Sequence, residues 1–457
     1  MMFEIPGKCT FAGGSHPPDS KEFTAERRIV QGPEVETITL MLSQHIGAPC
    51  VPLVKKGDVV QAGQKVADND GFVSAPIHSP VTGKVKEIAL QPHVAQGRAM
   101  GIVIVVDPEN NAPQEPVNDQ FTEMFDVTQY ESAQICDISR QAGLVGMGGA
   151  GFPTRVKLEP NPRLPKDTMI VNACECEPYI TCDYRLMMEW TYQVLAGIRL
   201  AKRASGCSKV YIAIEDNKPK AVTAMQTAVD ASGCSAEIKV VAVKTKYPQG
   251  GERQLIKAVT DKTVPTGGIP PMIGVLVLNV GTVAALAEAV VCDRPLTHRV
   301  VCVSGEAVSE PQNIYVPLGV TVRTLLEFCG GVTEQAARVV MGGPMMGFAL
   351  AELDTPITKT SGAITVLTHS QIGLAKFKHR QTACIRCGQC LEVCPENLNP
   401  TKIAHAVKFN ALDVAKDYYI SACIECGCCS YVCPANIELT GYIRTGKIHL
   451  AKQKKKA

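Results

Sequence analysis

Hydrophobic residues follow several successive patterns along this chain, and each pattern is typical of a different kind of domain. In residues 29–107, short apolar runs alternate with glycine and proline, as in VPLVKKGDVVQAGQKVAD and GFVSAPIHSPVTGKVKEIAL. Short strands separated by turn residues predict a small β domain. Residues 108–130 are rich in Pro, Asn, Asp and Glu, and this composition indicates a linker.

From residue 131 the pattern changes to apolar runs of strand length separated by helical stretches. The runs are DTMIVNA (167–173), KVYIAIED (209–216) and IKVVAV (238–243). This alternation predicts a parallel sheet with crossover helices, a Rossmann-like α/β domain over residues 131–297. Residues 273–292 are apolar enough to suggest a membrane span, but they contain Asn279, Gly281 and Glu288. We therefore expect a buried strand followed by a helix there, and no span.

The last part of the chain contains two further patterns. Residues 298–355 combine two strand-like runs with one helical run, which predicts a compact α+β domain. Residues 371–457 are helical and rich in cysteine, and Asn399 followed by Pro400 predicts the start of a helix, since Asn caps helices and Pro favours their first position.

Composition narrows the classes of function. The 457 residues include 46 basic and 44 acidic side chains, a net charge of +2, so no strong field indicates a nucleic-acid partner. Twenty cysteines indicate a reducing compartment in which thiolates stay available as ligands. The chain opens without a basic and then apolar leader, and we expect a cytoplasmic location.

Two cysteine runs share one spacing, C-x2-C-x2-C-x3-C-P, in CIRCGQCLEVCP (384–395) and CIECGCCSYVCP (423–434). In ferredoxin-like modules with this spacing, three thiolates bind one [4Fe-4S] cluster and the fourth crosses to the neighbouring cluster. The runs therefore predict two clusters. The expected ligands are Cys384, Cys387, Cys390 and Cys433 for the first cluster, and Cys423, Cys426, Cys429 and Cys394 for the second.

Zinc and disulfides are the alternatives for these cysteines. Zinc sites usually take two C-x2-C pairs separated by a longer loop, and they do not need a third cysteine followed by C-P. Disulfides among thiols in such tight turns would be badly strained. Cys428 fits no ligand position, and we interpret it as a spare thiol. A third metal site at Cys174, Cys176 and Cys182 would need a fourth ligand that is not nearby in the sequence.

A second chemical centre is the glycine-rich stretch GLVGMGGAGFPTRVK (143–157). Glycine disfavours both helix and strand, so this density of glycines serves another purpose. Glycines allow backbone N–H groups to approach an anion closely, and a phosphate site is the usual result. A flexible turn is the alternative, since a glycine-rich loop alone is a weak signal.

Four motifs in this part of the chain resemble the NADH-oxidising, flavin-binding subunit of respiratory complex I. GMGGAGFPTRVK is similar to its flavin loop, NACECEPYITCDYR (172–185) to its N-A-D-E-x-E-P turn, YPQGGE (247–252) to its Y-x-x-G-E-E stretch, and LNVGT (278–282) to its N-N-V-E-T stretch. The resemblance implies FMN and NAD(H) as cofactors. It also implies these binding residues: Gly146, Gly148, Gly149 and Gly151 at the phosphates and ribityl chain; Lys157, Asn172 and Asn279 at the flavin; Phe152, Glu175, Glu177 and Glu252 facing the nicotinamide nucleotide; and Tyr247 and Gly250 within the third motif. Cys174, Gly251 and Gly281 depart from the family pattern.

The order of modules resembles the C subunit of Rnf electron transport complexes nearly from end to end. VKKGDVVQAGQKV and SPVTGKV are similar to the barrel-sandwich fold of biotinyl and lipoyl carriers, but the intervening DNDGFVSAPIH lacks the carrier lysine. GGSHPP (13–18) is also found in the Rnf-like pattern. The fold class implied is multidomain α/β: a barrel-sandwich β domain (1–107), the 108–130 linker, a flavin/NADH domain (131–297), a β-grasp domain (298–355) and a two-cluster ferredoxin-like module (371–457).

This resemblance implies a peripheral subunit on the cytoplasmic face of the cell membrane. It would exchange electrons between NAD(H), FMN and two [4Fe-4S] clusters, and pass them to or from membrane partner subunits and, through these, ferredoxin. Nicotinamide exchanges two electrons as a hydride, clusters pass one electron, and a flavin does both, so no side chain need act as a nucleophile. The alternatives are a soluble NADH-dependent corrinoid reductase and a non-catalytic relay scaffold whose flavin pocket is degenerate.

Overall fold

The computed structural model describes residues 4–372 and 381–456, and two small antiparallel sheets form its first domain. One sheet has the strand order β2-β8-β7-β4 and the other β3-β5-β6. Ile102 and Ile104 of β8 are fully buried whereas Val105 is exposed, because successive strand residues point to opposite faces. The predicted β domain is confirmed. Strand β1 (Ile29–Gln31) precedes this domain. The strands of the domain are β2 (Thr37–Met41), β3 (Val51–Pro52), β4 (Val59–Val60), β5 (Lys65–Asp68), β6 (Ile77–His78), β7 (Gly83–His93) and β8 (Gly97–Val106).

Residues 4–28, which we call the N-terminal strap, pack on other domains. The Cys9 amide donates to the carbonyl of Ala258, and the Lys244 amide donates to the carbonyl of Cys9, both at 2.9 Å. Strand β1, directly after the strap, pairs in parallel with a strand near residue 314. The predicted range 1–107 thus holds two structurally different pieces, because the backbone groups of its first part find their partners in the α/β domain and the next sheet.

The predicted linker, residues 108–130, contains one 3-10 turn (Asn118–Gln120) and packs closely against its neighbours. Val117 and Phe121 are buried although the stretch around them is polar. The side chain of Gln114 donates to the Tyr315 hydroxyl at 3.0 Å, and Arg199 donates to the carbonyl of Phe125 at 2.5 Å. This segment therefore connects domains while it also covers part of their core.

The α/β domain has four parallel strands in the order β11-β10-β9-β12. The three predicted strands are confirmed, and β10 is buried along nearly its whole length, as parallel strands between helical layers are. Gly197 allows α4 to approach the backbone of α7 at Val283 closely. The elements are α1 (Ser132–Gln141), α2 (Thr154–Leu158), β9 (Thr168–Ala173), α3 (Cys182–Glu189), α4 (Thr191–Ser205), β10 (Lys209–Glu215), α5 (Pro219–Ala231), β11 (Ile238–Val243), α6 (Glu252–Thr260), a 3-10 turn (Pro270–Ile273), β12 (Val275–Asn279) and α7 (Val280–Cys292).

The apolar stretch at residues 273–292 forms β12 and α7, as predicted. Both elements lie in the core, where Leu276 and Leu286 are almost fully buried. Within the described residues, we find no helix with the length and apolar character needed to cross a membrane.

A mixed sheet of six strands follows, with the order β1-β14-β13-β17-β15-β16. The sheet extends beyond the predicted range 298–355 on both sides. Strand β1 lies before this range and pairs with β14, and strand β17 lies after it and pairs with β13 and β15. Thr321 caps the helix of this domain by accepting a hydrogen bond from the Thr324 amide. The elements are β13 (His298–Ser304), β14 (Gln312–Pro317), α8 (Val322–Phe328), β15 (Ala336–Met341), β16 (Phe348–Ala349) and β17 (Ala363–Thr368).

The C-terminal module consists of several short helices and one long helix around a small core of its own, which includes Ile403, Val407 and Ile443. The predicted helix start is confirmed, since the Asn399 side chain accepts a hydrogen bond from the Lys402 amide and Pro400 is the first helical residue. Part of the predicted range 371–457, residues 373–380 and 457, lies outside the described residues. The elements are α9 (Gln389–Glu392), α10 (Pro400–Lys408), α11 (Leu412–Asp417), a 3-10 turn (Ile420–Ala422), α12 (Cys428–Tyr431) and α13 (Leu439–Lys456).

Candidate functional site

The glycine-rich loop lies between α1 and α2 and is closed at its base by backbone hydrogen bonds. The Gly146 amide donates to the carbonyl of Phe152 at 2.9 Å, and the Met147 amide donates to the Thr282 hydroxyl, also at 2.9 Å. Residues 148–150 at the tip are exposed, and their amide nitrogens have no hydrogen-bond partner within the described chain. The tip therefore presents free N–H groups, which suit an anion such as a phosphate.

Gly148 is required by the close approach of Asn279. A Cβ atom at position 148 would lie 2.6 Å from the side chain of Asn279, whereas a Cβ at Gly149 would meet nothing within 4 Å. The Asn279 amide group is held in place, because its oxygen accepts from the Gly281 amide at 2.9 Å and its nitrogen donates to Asp183 at 2.6 Å. The loop thus rests on a fixed polar side chain at the start of α7.

Asn172 and Asn279 are register partners at the carboxyl ends of the neighbouring strands β9 and β12. The carboxyl end of a parallel sheet is where α/β folds usually bind ligands. The Asn172 side chain donates to the carbonyl of Gly250 at 2.7 Å, which joins this strand end to the YPQGGE segment. Three of the four motifs that resemble the complex I protein therefore meet at one edge, and the glycine loop lies against the same edge.

Lys157 and Glu252 lie beside this edge. The Lys157 ammonium group donates to the carbonyl of Val277 at 3.1 Å and pairs with the Glu252 carboxylate at 3.3 Å. Glu252 is the first residue of α6, where a negative charge is favoured by the helix dipole. Phe152, in the last part of the loop, is half-buried.

The two glutamates of NACECEP have their carboxylates bound by backbone amides of the same chain. Glu175 accepts from the amides of Asp183 at 2.6 Å and Tyr184 at 3.2 Å, at the start of α3. Burial raises the pKa of Glu175 to about 7. Glu177 accepts from the amides of Met345 at 3.1 Å and Met346 at 2.8 Å, and burial raises its pKa as well. That these glutamates face a nicotinamide nucleotide stays a prediction.

Gln249 is a residue of this edge that the sequence did not indicate. Its side chain is fully buried, and neither its amide oxygen nor its amide nitrogen has a hydrogen-bond partner within the described chain. It precedes Gly250, which contacts Asn172, so a buried donor and acceptor remain beside the strand end. A buried polar group without partners costs about 1–3 kcal/mol, which a bound polar ligand can recover. The free loop amides and this amide fit a flavin mononucleotide.

The two cysteine runs have the same backbone conformation at an offset of 39 residues. Arg386, Gly388 and Asn397 have φ of 57°, 82° and 53°, and their equivalents Glu425, Gly427 and Asn436 have 60°, 85° and 51°. Equivalent sulphurs also have equivalent partners. The Leu398 amide lies 3.3 Å from Cys394 Sγ and the Ile437 amide 3.5 Å from Cys433 Sγ, while Thr401 and Thr440 lie near Cys390 and Cys429 at 2.9 and 3.6 Å. The module is an internal duplication, with equivalent cysteines in its two halves.

Cysteines of both runs line one cavity in this module. Its wall includes Cys394 from the first run together with Cys423, Cys426, Cys428 and Cys429 from the second. All twenty cysteines lie in the described part of the chain, and each is a free thiol. The N–H and O–H donors around the sulphurs and the apolar cavity suit an iron–sulphur cluster. In the first run, Cys384 and Cys387 are exposed.

Comparison with known proteins gives four family matches along the chain. An RnfC barrel sandwich hybrid domain matches residues 9–109, a Nuo51 FMN-binding domain 139–288, an SLBB domain 300–349, and a 4Fe-4S dicluster domain 380–437. The C subunit of the proton-translocating ferredoxin:NAD(+) oxidoreductase complex of Clostridium ljungdahlii is 42% identical over 90% of this chain and 87% of its own length. The chain belongs to this family of C subunits.

Other members of the family agree. The C subunit of the Na(+)-translocating ferredoxin:NAD(+) oxidoreductase complex of Acetobacterium woodii is 40% identical over 88% of this chain and 88% of its own length. The C subunit of the ion-translocating oxidoreductase complex of Vibrio cholerae is 37% identical over 89% of this chain but 51% of its own length. The predicted family, an oxidoreductase subunit of electron transport with FMN-binding and 4Fe-4S domains, is confirmed. Among solved structures, an NAD+-reducing [NiFe]-hydrogenase in the air-oxidized state superposes with a TM-score of 0.49 at 21% identity, covering 69% of this chain and 61% of that chain.

The flavin domain and the cluster module of this chain meet at a junction built around Tyr247. The Tyr247 hydroxyl donates to the carbonyl of Cys426 at 2.8 Å and lies 3.3 Å from the Glu177 carboxylate. The N-terminal strap reaches the same junction, because Ser15 pairs with the backbone of Tyr247 and the Gly14 amide donates to the carbonyl of Val393 at 2.8 Å. The GGSHPP motif of the sequence thus lies between the two cofactor domains.

One side-chain contact also crosses this junction, and another joins the N-terminal strap to the acidic turn beside it. The Gln254 side chain of α6 donates to the Glu396 carboxylate at 2.7 Å. The Lys21 ammonium group is buried and donates to three carbonyls of the acidic turn, those of Glu175, Glu177 and Ile180, at 2.9, 3.0 and 2.7 Å. Neither role could be read from local sequence patterns, since the partners lie far away along the chain.

The three thiols considered as a further metal site point to different neighbours. Cys174 Sγ donates to the carbonyl of Ala213 at 3.6 Å, while Cys176 Sγ accepts from the Gly250 amide at 3.3 Å. Cys182 lies within 4.8 Å of the Glu175 and Asp183 carboxylates. Cys174, at the position of the family's aspartate, is fully buried in an apolar cluster. The described residues therefore do not bring these three thiols together.

Proposed function

We propose that this chain exchanges electrons between NAD(H), FMN and two [4Fe-4S] clusters on the cytoplasmic face of a membrane complex. Other subunits of that complex would deliver or receive the electrons and connect the chain to ferredoxin. The names of the relatives, which describe ferredoxin:NAD(+) oxidoreductases, support both ends of this path. The observation that carries the proposal is the Tyr247 junction, where a 2.8 Å hydrogen bond joins the flavin domain to the second cysteine run.

The flavin site would use the edge formed by the glycine loop and the strand ends. The free amides of residues 148–150 would bind the phosphate, and Asn172, Asn279 and Gln249 would hold the polar ring edge or the ribityl hydroxyls. FMN, when bound, supplies the exchange between two-electron hydride transfer and one-electron transfer. These residues would bind and orient it, and Phe152 and Glu252 would contact the nicotinamide nucleotide.

The cluster sites would use the duplicated cysteine runs. We propose Cys394, Cys423, Cys426 and Cys429 as one ligand set, and the shared cavity supports it. The second set, Cys384, Cys387, Cys390 and Cys433, follows from the duplication, since every ligand of one set has its equivalent in the other run. Bound clusters supply one-electron transfer, at potentials set by burial and by hydrogen bonds to sulphur.

Cofactor content of the reconstituted protein tests this proposal. We expect one FMN, about eight iron atoms as two four-iron clusters require, and saturable binding of NADH. Protein that retained iron but bound neither FMN nor NADH would favour the relay scaffold. Reduction of cob(III)alamin by NADH with the purified chain alone would favour the corrinoid reductase, and either result would contradict the proposed function.

A further inference from the structure

Asp183 lies in the first turn of α3 and contacts two of the motifs that surround the proposed flavin site. Its carboxylate accepts a hydrogen bond from the Asn279 side chain at 2.6 Å. Its backbone amide donates to the Glu175 carboxylate, also at 2.6 Å. One residue thus joins the LNVGT segment to the NACECEP turn, although the family resemblance gave it no role.

The hydrogen bonds of Asn279 determine which way its amide group points. The Asn279 oxygen accepts from the Gly281 amide at 2.9 Å and so caps α7, which turns the nitrogen to the other side. Asp183 lies on that other side, and an ionised carboxylate can accept a hydrogen bond but cannot donate one. The two contacts therefore agree on a single orientation of the amide group.

This orientation presents a donor at the edge of the sheet. The Asn279 nitrogen has a second N–H, which has no hydrogen-bond partner within the described chain. The nitrogen lies beside the glycine loop, since a Cβ atom at Gly148 would be 2.6 Å from it. Asn279 is partly exposed at the carboxyl end of β12, the end at which parallel sheets bind ligands. Loss of the Asp183 acceptor would leave the amide group with one contact instead of two.

Gly281 increases the importance of Asp183. The N-N-V-E-T stretch of the complex I protein has glutamate at this position, whereas glycine brings no carboxylate to Asn279. A Cβ atom at Gly281 would lie 3.2 Å from the Asn279 oxygen and 3.8 Å from a carboxylate oxygen of Asp183. Asp183 thus supplies a carboxylate in the space where a side chain at position 281 would begin.

We propose that Asp183 is a positioning residue for FMN, because it orients the Asn279 amide group so that its free N–H faces the cofactor. This inference rests on the proposed flavin site. Asp183 acts through Asn279, so its effect on FMN binding should disappear when Asn279 is absent. An asparagine at position 183 keeps an acceptor oxygen for the Asn279 nitrogen, and it should therefore replace the aspartate.

Fluorescence titration of the flavin-free full chain with FMN tests this inference. In Asp183→Ala, we expect FMN to bind about 10-fold more weakly, the size expected for one lost hydrogen bond to a charged group. Asp183→Asn should stay within about 3-fold of wild type. Asn279→Ala should weaken binding, and the double variant Asp183→Ala/Asn279→Ala should bind no more weakly than Asn279→Ala. Asp413→Ala is the matched control and should bind normally, because Asp413 also lies in the first turn of a helix but is exposed in the cluster module.

Unchanged FMN binding in Asp183→Ala would overturn the inference, as would equally weak binding in Asp183→Asn. Additive losses in the double variant would also overturn it, because Asp183 would then not act through Asn279. An Asp183→Ala chain that does not fold would do the same, since Asp183 would then be needed by the fold itself. The wild-type titration tests the proposed function separately. Absence of FMN binding there would overturn the proposed function, whereas normal wild-type binding with an unaffected Asp183→Ala variant would overturn the inference alone.

Discussion

Replacing Tyr247 by phenylalanine removes one hydroxyl group from the junction between the flavin domain and the cluster module. Tyr247 is 2% exposed, so water cannot readily replace the lost donor to the carbonyl of Cys426. A buried carbonyl left without its partner costs about 1–3 kcal/mol. We therefore expect the equilibrium for opening the junction to rise by about 5- to 150-fold.

Hydrogen exchange at Gly14 measures this opening. The Gly14 amide donates to the carbonyl of Val393 across the junction, so it exchanges only when the module separates from the strap. In Tyr247→Phe its exchange should be faster by the factor given above, while amides in the core of the α/β sheet stay protected. Tyr431→Phe is the matched control, because Tyr431 belongs to the same module and is 49% exposed.

Equal protection of Gly14 in wild type and Tyr247→Phe would refute the reasoning. It would mean that the hydroxyl does not contribute to docking of the module. Faster exchange in Tyr431→Phe of the same size would refute it as well, since the effect would then not depend on burial at the junction.

Three further predictions concern the ligand set, the flavin loop and the domain contact. Cys394→Ser should damage the cluster built mainly from Cys423, Cys426 and Cys429, and loss of only the Cys384 cluster in iron analysis and paramagnetic resonance would count against the crossed assignment. Gly148→Ala should weaken FMN binding by about 5- to 150-fold, because the added carbon overlaps Asn279 at a cost of about 1–3 kcal/mol. Fluorescence titration measures this, and Gly441→Ala, where the nearest contact is an ordinary 3.7 Å, should bind normally. Lys359 is buried with its ammonium group on the carbonyls of Pro76 and Gly143, and burial lowers its pKa to about 7. In the unfolded chain this lysine keeps its proton up to about pH 10.4. The difference in free energy of unfolding between the wild type and Lys359→Met should therefore shift in favour of the wild type by about 1 kcal/mol per pH unit from pH 7.5 to 9. A difference in denaturant midpoints that does not change with pH would contradict this prediction.

Sequence patterns predicted the elements that local physical chemistry determines. The strands β9, β10 and β11 follow from continuous apolar runs, and the start of α10 follows from Asn399 and Pro400. The repeated cysteine spacing also predicted a duplicated module, because thiolate geometry around a cluster fixes the spacing. These features depend on residues that are neighbours along the chain.

Contacts between distant segments could not be predicted in the same way. The strap at Gly14 and Ser15 crosses to Tyr247 and Val393, and no periodicity of its own residues indicates that partner. The carboxylates of Glu175 and Glu177 likewise accept hydrogen bonds from backbone amides, and the motif does not indicate which amides these are. Cys428, interpreted from sequence as a spare thiol, proved to be fully buried at the junction because the fold places Ser15 and Tyr247 around it.

We hold that nicotinamide, flavin and clusters form one path through this chain, and an anaerobic NADH titration of the fully loaded protein measures electron flow along it. We predict that NADH bleaches both the flavin absorbance and the broad absorbance of the clusters, because the Tyr247 junction joins their domains. Protein that holds FMN and both clusters but in which NADH leaves the cluster absorbance unchanged would contradict this claim.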